Sequence, residues 1–349
     1  MQSPPAPLRL RIDRAALAGN WRVLDGMSGT ASAGAAVKAD AYGLGVAHAV
    51  PILRDAGARD FFVAHWCEVA AMLDHVPPSQ VAVLHGPVTT EDAAFAHATG
   101  VRPVINSVQQ ARLWLALGGG ACDLMVDTGM NRLGLPPSQL AEPDIARLRV
   151  HTLHSHLASA DEDSVQNRQQ LSLFAQVAAA RTAQRRAFAN SAGIALGRDY
   201  AFDLTRPGIA LYGGVPRAEL ADAIRQVAFP QVRIMQVRQL QTGDHVGYGG
   251  VFVAPHAMRV ATVALGYADG YLRSWDGRGM LQAGAEQLPL LGRVSMDMVV
   301  VDLSAIPDLG PGDWLDLPYS LPVAAQGGQL TQYELLTLLG PRLERFVTD

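Results

Sequence analysis

Residues 33–43 read Ala33-Gly34-Ala35-Ala36-Val37-Lys38-Ala39-Asp40-Ala41-Tyr42-Gly43, an apolar run, then a lysine, then a turn that ends on glycine. Short apolar runs bounded by turn residues are the mark of buried strands. Ala33–Val37 is the first of eight, followed by Phe61–His65, Val81–His85, Val101–Ile105, Leu124–Asp127, Val150–His156, Ala187–Ala189 and Phe202–Thr205. The stretches between them have helical spacing. Leu17, Trp21 and Leu24 recur at i, i+4 and i+7, and Leu171, Phe174 and Val177 recur every third residue. Ser107 with Gln110 has the pattern of a capping box, and Gly118-Gly119-Gly120 stops the helix that it opens. Eight strands alternating with helices over roughly 200 residues suit an α/β fold of the (β/α)8 TIM-barrel kind. A doubly wound sheet is the competing architecture.

Beyond Phe229 the period changes. Val232–Leu240, Met258–Leu265, Met298–Leu303 and Trp314–Leu317 alternate and are broken by Gly, Pro and Asp turns, which reads as a mostly antiparallel β domain. The expected division is a barrel over residues 10–225 and a C-terminal β domain over 226–349, with residues 1–10 free to pack with the latter. At 349 residues, two domains are the natural expectation.

With 49% hydrophobic and 17% charged residues the chain excludes intrinsic disorder, and a net charge of −4 argues against nucleic acid as a partner. Cys67 and Cys122 lack metal-ligand spacing, so free buried thiols and no metal are expected. The start lacks an apolar leader segment and no run approaches ~18 apolar residues, so a cytoplasmic chain without a membrane partner is expected.

In a barrel, functional groups gather on the loops after the strands. Lys38, His65, His85, Asn106, Arg132, His156, Ser191 and Arg206 all lie there. Lys38 is the only lysine beside 27 arginines. A lysine at a strand end is usually a surface residue whose stem lies on apolar surface. Here a chain that uses Arg at every other basic position keeps a primary amine, and only an amine is able to deprotonate and act as nucleophile or base. Burial would lower its pKa from the reference of ~10.4. Asn190-Ser191-Ala192-Gly193 and Arg206-Pro207-Gly208-Ile209 follow the seventh and eighth runs, where barrels commonly bind phosphate through backbone amides. An amine and a phosphate pocket on one face invite pyridoxal phosphate.

Five strings then point one way. Val37-Lys38-Ala39-Asp40-Ala41-Tyr42-Gly43, Asp127-Thr128-Gly129-Met130-Asn131-Arg132-Leu133-Gly134, Arg206-Pro207-Gly208-Ile209-Ala210-Leu211-Tyr212-Gly213, Gly266-Tyr267-Ala268-Asp269-Gly270 and Gly292-Arg293-Val294-Ser295-Met296-Asp297 resemble the alanine racemase family, in family order and across nearly the whole chain. The resemblance implies a pyridoxal 5′-phosphate-dependent isomerase that interconverts L- and D-alanine and supplies D-alanine for peptidoglycan. It implies that Lys38 holds the cofactor as a Schiff base and that Lys38 and Tyr267 act as bases on opposite faces of the substrate Cα, because inversion needs the proton to leave one face and return on the other. It places Arg206 at the pyridine nitrogen, His156 against the ring and bonded to Arg206, and Ser191, Gly208, Ile209, Tyr42 and Tyr333 around the phosphate. Arg132 and the main-chain N–H of Met296 would take the substrate carboxylate. The resemblance further implies a homodimer in which Tyr267 and Met296 complete the neighbouring subunit's site.

His154, two residues before His156, is expected as a packed or helix-facing residue. Two departures from the family pattern stand out. Met125 occupies a position that is often a carbamylated lysine steadying the carboxylate-binding arginine, and Ser295 replaces a common cysteine. A racemase of broader specificity, acting for example on serine, is the alternative within the same chemistry. A decarboxylating fold relative is disfavoured by the Tyr267 and Met296 strings, and a one-barrel cofactor-binding protein by the β domain.

Overall fold

A computed structural model describes residues 4–349 and divides them by contact into a barrel unit, Ala16–Arg225, and a β unit made of the residues up to Ala15 together with Gln226–Asp349. The barrel unit holds parallel strands Ser32–Ala33, Ala35–Ala36, Phe61–Val63, Val81–Val83, Arg102–Ile105, Ala121–Met125, Arg149–His154, Arg185–Ala187 and Leu204–Thr205. The first two are one strand interrupted at Gly34. Its first half pairs with Leu204–Thr205 and its second with Phe61–Val63, so eight strands close on themselves. Closure excludes the doubly wound sheet. Gly34 is needed at the join, since a Cβ there would lie 2.8 Å from both the Asp60 carbonyl and the Phe62 ring.

Phe62, Ala82, Val104, Met125, Ala187 and Leu204 fill the barrel interior, one from each of six strands. Helices cover the outside. Leu17, Trp21 and Leu24 of helix Arg14–Met27 are buried, and the Trp21 indole donates to the Ala33 carbonyl at 3.2 Å. Burying each such side chain is worth about 1.5–3 kcal/mol. Phe174 of helix Val165–Ala180 stacks on Phe188 with centroids 4.9 Å apart. The Ser107 hydroxyl accepts from the Gln110 N–H, as its pattern predicts, but the Gln110 side chain reaches back to the Asn106 N–H, one residue earlier than a full capping box requires.

In the β unit, Ala228–Leu240 pairs antiparallel with Leu8–Asp13, Trp314–Asp316 and Met258–Val263, and it bends through an irregularity between Ile234 and Gln236. The ladder runs on through Val299–Asp302, Glu286–Leu291 and Met280–Ala283 back to Trp314–Asp316, closing a second, antiparallel barrel. Leu8–Asp13 and Glu344–Thr348 extend the sheet outside that ring, and theirs is the only parallel pairing among the described residues of the β unit.

Two expectations need correction. Residues 11–15, assigned from sequence to the barrel, belong to the β unit, because Arg11 and Ile12 pair with Phe229 and Ala228. Residues 1–3 of the segment expected to pack there lie outside the described residues. Cys122 is buried, with its thiol pushed up to about 12 chiefly by that burial, but Cys67 is exposed beyond the end of Phe61–Val63. Among the described residues no helix is long and apolar enough to cross a membrane.

Candidate active site

Lys38 follows the first barrel strand, and the four residues after it adopt a conformation that their types disfavour. Ala39, Asp40, Ala41 and Tyr42 all have φ between 52° and 56°, which makes a left-handed turn without a glycine until Gly43. Each such residue costs about 1–2 kcal/mol, so the surroundings must hold the turn. The Asp40 carboxylate accepts from the Val46 N–H at 2.7 Å, and the Glu68 carboxylate accepts from the N–H groups of Ala39, Ala64 and His65. Glu68 thus ties the Lys38 loop to the loop after the next strand. The Lys38 amine is half-buried, and burial, then the Arg132 charge, lower its pKa, with Glu68 opposing. That is the state a nucleophilic or basic amine requires.

Tyr42 turns its ring onto Tyr212, centroids 4.8 Å apart, and its hydroxyl lies close to Gly208: a Cβ at Gly208 would come 2.2 Å from the phenolic oxygen. The Ser191 hydroxyl accepts from the N–H groups of Gly208, at 2.9 Å, and Ala210, at 3.2 Å. Ile209, fully buried, opens the turn Ile209–Tyr212. With its oxygen accepting from two backbone N–H groups, the Ser191 hydroxyl has its own proton left to donate, and together with the Tyr42 hydroxyl beside a glycine that leaves no room for a Cβ it gives a donor pair suited to a phosphate dianion. Gly208→Ala is expected to displace Tyr42 and weaken pyridoxal-phosphate binding by about tenfold or more. Titration of the apoprotein with the cofactor measures this, and an unchanged affinity would contradict the role given to this glycine.

Arg206 is buried, and burial pulls its guanidinium down to about 10, which leaves it charged at neutrality. It donates to the Ser155 carbonyl at 2.5 Å and to Nδ1 of His154 at 3.0 Å. The sequence reading assigned that imidazole contact to His156, and it belongs to His154. Of the two settings expected for His154, packed or helix-facing, the first holds: it packs edge-on to Phe62 inside the barrel, ring centroids 5.9 Å apart. His156, two residues on, is half-buried past the strand end, where burial and then the charges of Arg206, Arg132 and Lys38 bring its pKa down to about 3. A neutral imidazole there suits stacking on an aromatic ring.

Arg132 is exposed on the loop whose turn is set by Asp127 Oδ1, which accepts from Gly129 and Met130 at 2.8 and 2.9 Å. Gln170 steadies that loop, donating to Thr128 Oγ1 at 3.2 Å and to the His156 carbonyl at 3.0 Å. Met125 points into the barrel's apolar cluster.

Tyr267, Met296 and Tyr333 lie in the β unit with exposed side chains, Tyr333 on helix Gln332–Thr337. The Tyr267 and Met296 strings pack on each other: Tyr267 and Ala268 donate their N–H groups to the Ser295 and Met296 carbonyls, both at 3.1 Å. Gly266 permits this, since a Cβ there would sit 2.2 Å from the Met296 carbonyl oxygen. Arg342 binds the buried Asp269 carboxylate through two nitrogens, at 2.7 and 2.8 Å, and Asp297 at 2.6 Å, holding both loops.

Glu68, Arg342 and the pair His154–Asp123 were missed by the sequence reading. For the pair a signal existed. Asp123 sits in the apolar run Ala-Cys-Asp-Leu-Met, and a buried carboxylate demands a partner.

The alanine racemase N-terminal domain family model matches residues 12–216, and the alanine racemase C-terminal domain model matches residues 227–347. A biosynthetic alanine racemase of Agrobacterium fabrum is 41% identical over 366 residues, covering 97% of this chain and 93% of that protein. A catabolic alanine racemase of the same organism is 39% identical, over 96% of this chain and 91% of that protein. The crystal structure of a Bartonella henselae alanine racemase with covalently bound pyridoxal phosphate superposes with a TM-score of 0.91 at 33% identity, covering 99% of this chain and all of that one.

Proposed function

Because the chain belongs to the alanine racemase family, we propose that it is a pyridoxal 5′-phosphate-dependent isomerase that interconverts L- and D-alanine. The observation that carries the reading is the convergence, at one end of the barrel, of a desolvated amine, Lys38, and a phosphate cradle formed by Tyr42, Ser191 and Gly208. Bound there, pyridoxal phosphate supplies an electron sink that acidifies the substrate Cα–H.

Lys38 holds the cofactor and, once released, moves a proton at Cα on one face; Tyr267 moves a proton on the other. Ser191, Gly208, Ile209, Tyr42 and Tyr333 would hold the phosphate, and His156 would pack on the ring. Arg206 would donate a hydrogen bond to the pyridine nitrogen while keeping its own proton, so the bound group would be a weaker electron sink than one met by an acid. Arg132 and the Met296 N–H orient the alanine carboxylate.

We further infer a homodimer, with Tyr267 and Met296 of one subunit completing the barrel site of the other. Support comes from Tyr267, Met296 and Met298, exposed together on adjoining loops at 37%, 52% and 48% respectively, since apolar side chains exposed as a group mark an interaction surface. The proposed setting is the cytoplasm, and the proposed role is the supply of D-alanine for peptidoglycan.

Incubation of the purified protein with L-alanine, D-alanine or L-serine in deuterium oxide tests the reading. Cα deuteration and loss of optical rotation are expected with both alanine enantiomers. No exchange with either would sink it, and comparable exchange with serine would widen its specificity.

A further inference from the structure

We propose that His154, backed by the Asp123 carboxylate, is the positioning residue that holds the Arg206 guanidinium in place at the mouth of the barrel. The inference rests on the pyridoxal-phosphate reading of the site and adds to it the device that fixes the residue at the cofactor ring.

Asp123 and His154 stand on neighbouring strands, Ala121–Met125 and Arg149–His154, and Arg206 follows Leu204–Thr205. Asp123 and His154 are fully buried, and Arg206 is nearly so. His154 Nδ1 lies 3.0 Å from an Arg206 nitrogen and its Nε2 lies 3.1 Å from Asp123 Oδ2. A guanidinium has only donors, so Nδ1 must accept, and Nε2 then carries the proton and donates to the carboxylate. Only the neutral imidazole in that one tautomer satisfies both neighbours. Burial, then the Arg206 charge, favour the neutral form and bring the His154 pKa down to about 4, against the pull of Asp123.

Asp123 is itself built in. The ladder to the next strand shifts register between Cys122 and Leu124, which brings the Thr152 N–H onto Asp123 Oδ1 at 3.1 Å. His151 Nδ1 stands 3.7 Å and Arg102 Nε 3.4 Å from the same oxygen. Burial opposes ionisation of Asp123, but the histidine contacts and the Arg102 charge outweigh it and hold the carboxyl below the usual range. Beyond Arg102, Asp60 and Arg185 continue the alternation of charge to the N-terminal ends of the strands, with Asp60 Oδ2 2.8 Å from Arg185. The chain of partners therefore ends on Arg206 at the opposite, functional end.

The consequence is chemical as well as geometric. A neutral histidine pinned between a carboxylate and a guanidinium has no proton to pass to Arg206, and Arg206 keeps its own. The pyridine nitrogen thus meets a fixed donor and no acid.

The test compares the holoenzyme with His154→Phe, His154→Asn and His154→Gln. An asparagine amide oxygen stands near the position of Nδ1 and keeps the Arg206 contact, whereas a glutamine reaches the Nε2 position and keeps the Asp123 contact. His154→Phe is expected to lower kcat about tenfold or more, to leave the alanine KM within about twofold, and to loosen the bound cofactor about tenfold. It should also shift the visible absorption band of the bound cofactor. More pyruvate per turnover should form, the alanine amino group staying on the cofactor and its carbon skeleton leaving as the keto acid. His154→Asn should recover most of these losses and His154→Gln little. A folded His154→Phe variant with wild-type kcat, absorption and cofactor affinity would overturn the proposal, as would an asparagine variant no better than the glutamine one. If His154→Phe does not fold, the asparagine–glutamine comparison decides. A wild-type protein that neither binds pyridoxal phosphate nor racemises alanine would instead overturn the reading of the site.

Discussion

The Lys38→Ala variant is expected to lose the visible absorption of bound pyridoxal phosphate and to racemise alanine about 10⁴-fold or more slowly than the parent. The size of the effect follows from the two roles proposed for Lys38, holding the cofactor covalently and moving a proton at Cα. It also follows from the composition. The chain has no second lysine, so no neighbouring side-chain amine is available to substitute, and a guanidinium is no replacement for an amine that must give up its proton. The same fact makes the experiment clean, because borohydride trapping of the cofactor on the parent protein should label one tryptic peptide, that containing Lys38. A variant that keeps the visible band and wild-type turnover would remove Lys38 from the mechanism. Because the left-handed turn after Lys38 is held by Asp40 and Glu68 rather than by the lysine side chain, the variant should fold.

Tyr267→Phe should carry the second largest effect. Two-base inversion predicts that racemisation falls by about 10³-fold or more while the cofactor band is unchanged. One enantiomer of alanine should still exchange its Cα hydrogen for deuterium, without inversion, through the Lys38 face. The substitution removes one oxygen and leaves the loop intact, since Gly266, Asp269 and Arg342 hold its backbone and Arg273 lies over the ring, 5.8 Å from its centroid. Near-normal turnover from L-alanine would contradict the role of Tyr267.

Much of the fold is legible in the sequence. The eight apolar runs fall on the eight barrel strands, although the fifth strand, Ala121–Met125, begins three residues before the run Leu124–Asp127, and the seventh is Arg185–Ala187 rather than Ala187–Ala189. The error has a physical source: Phe188 and Ala189 are as buried as the strand itself, so apolar content marks burial there and not the ladder. The β unit's alternation also read correctly, because a strand with one face inward must alternate. What failed was partner choice. His154 and His156 are the same residue type two positions apart in one run, and nothing local tells which one meets Arg206.

The sequence by itself determined the class of each element, the family, and the one amine able to act as a base, because periodicity, turn residues and residue chemistry are written locally. Tertiary structure alone decided three things. It bent Ala39–Tyr42 into a left-handed turn that their propensities oppose, through a glutamate 29 residues away. It carried the strand Leu8–Asp13 on past residue 10, taking Arg11 to Asp13 out of the expected barrel and into the β unit, through ladders to residues more than 200 positions later. It paired Arg206 with His154 and His154 with Asp123 across 52 and 31 residues of sequence. In each case a buried polar or strained group had to be satisfied by whatever barrel closure brought within hydrogen-bond reach, and that neighbour is set by the closed fold rather than by the local chain.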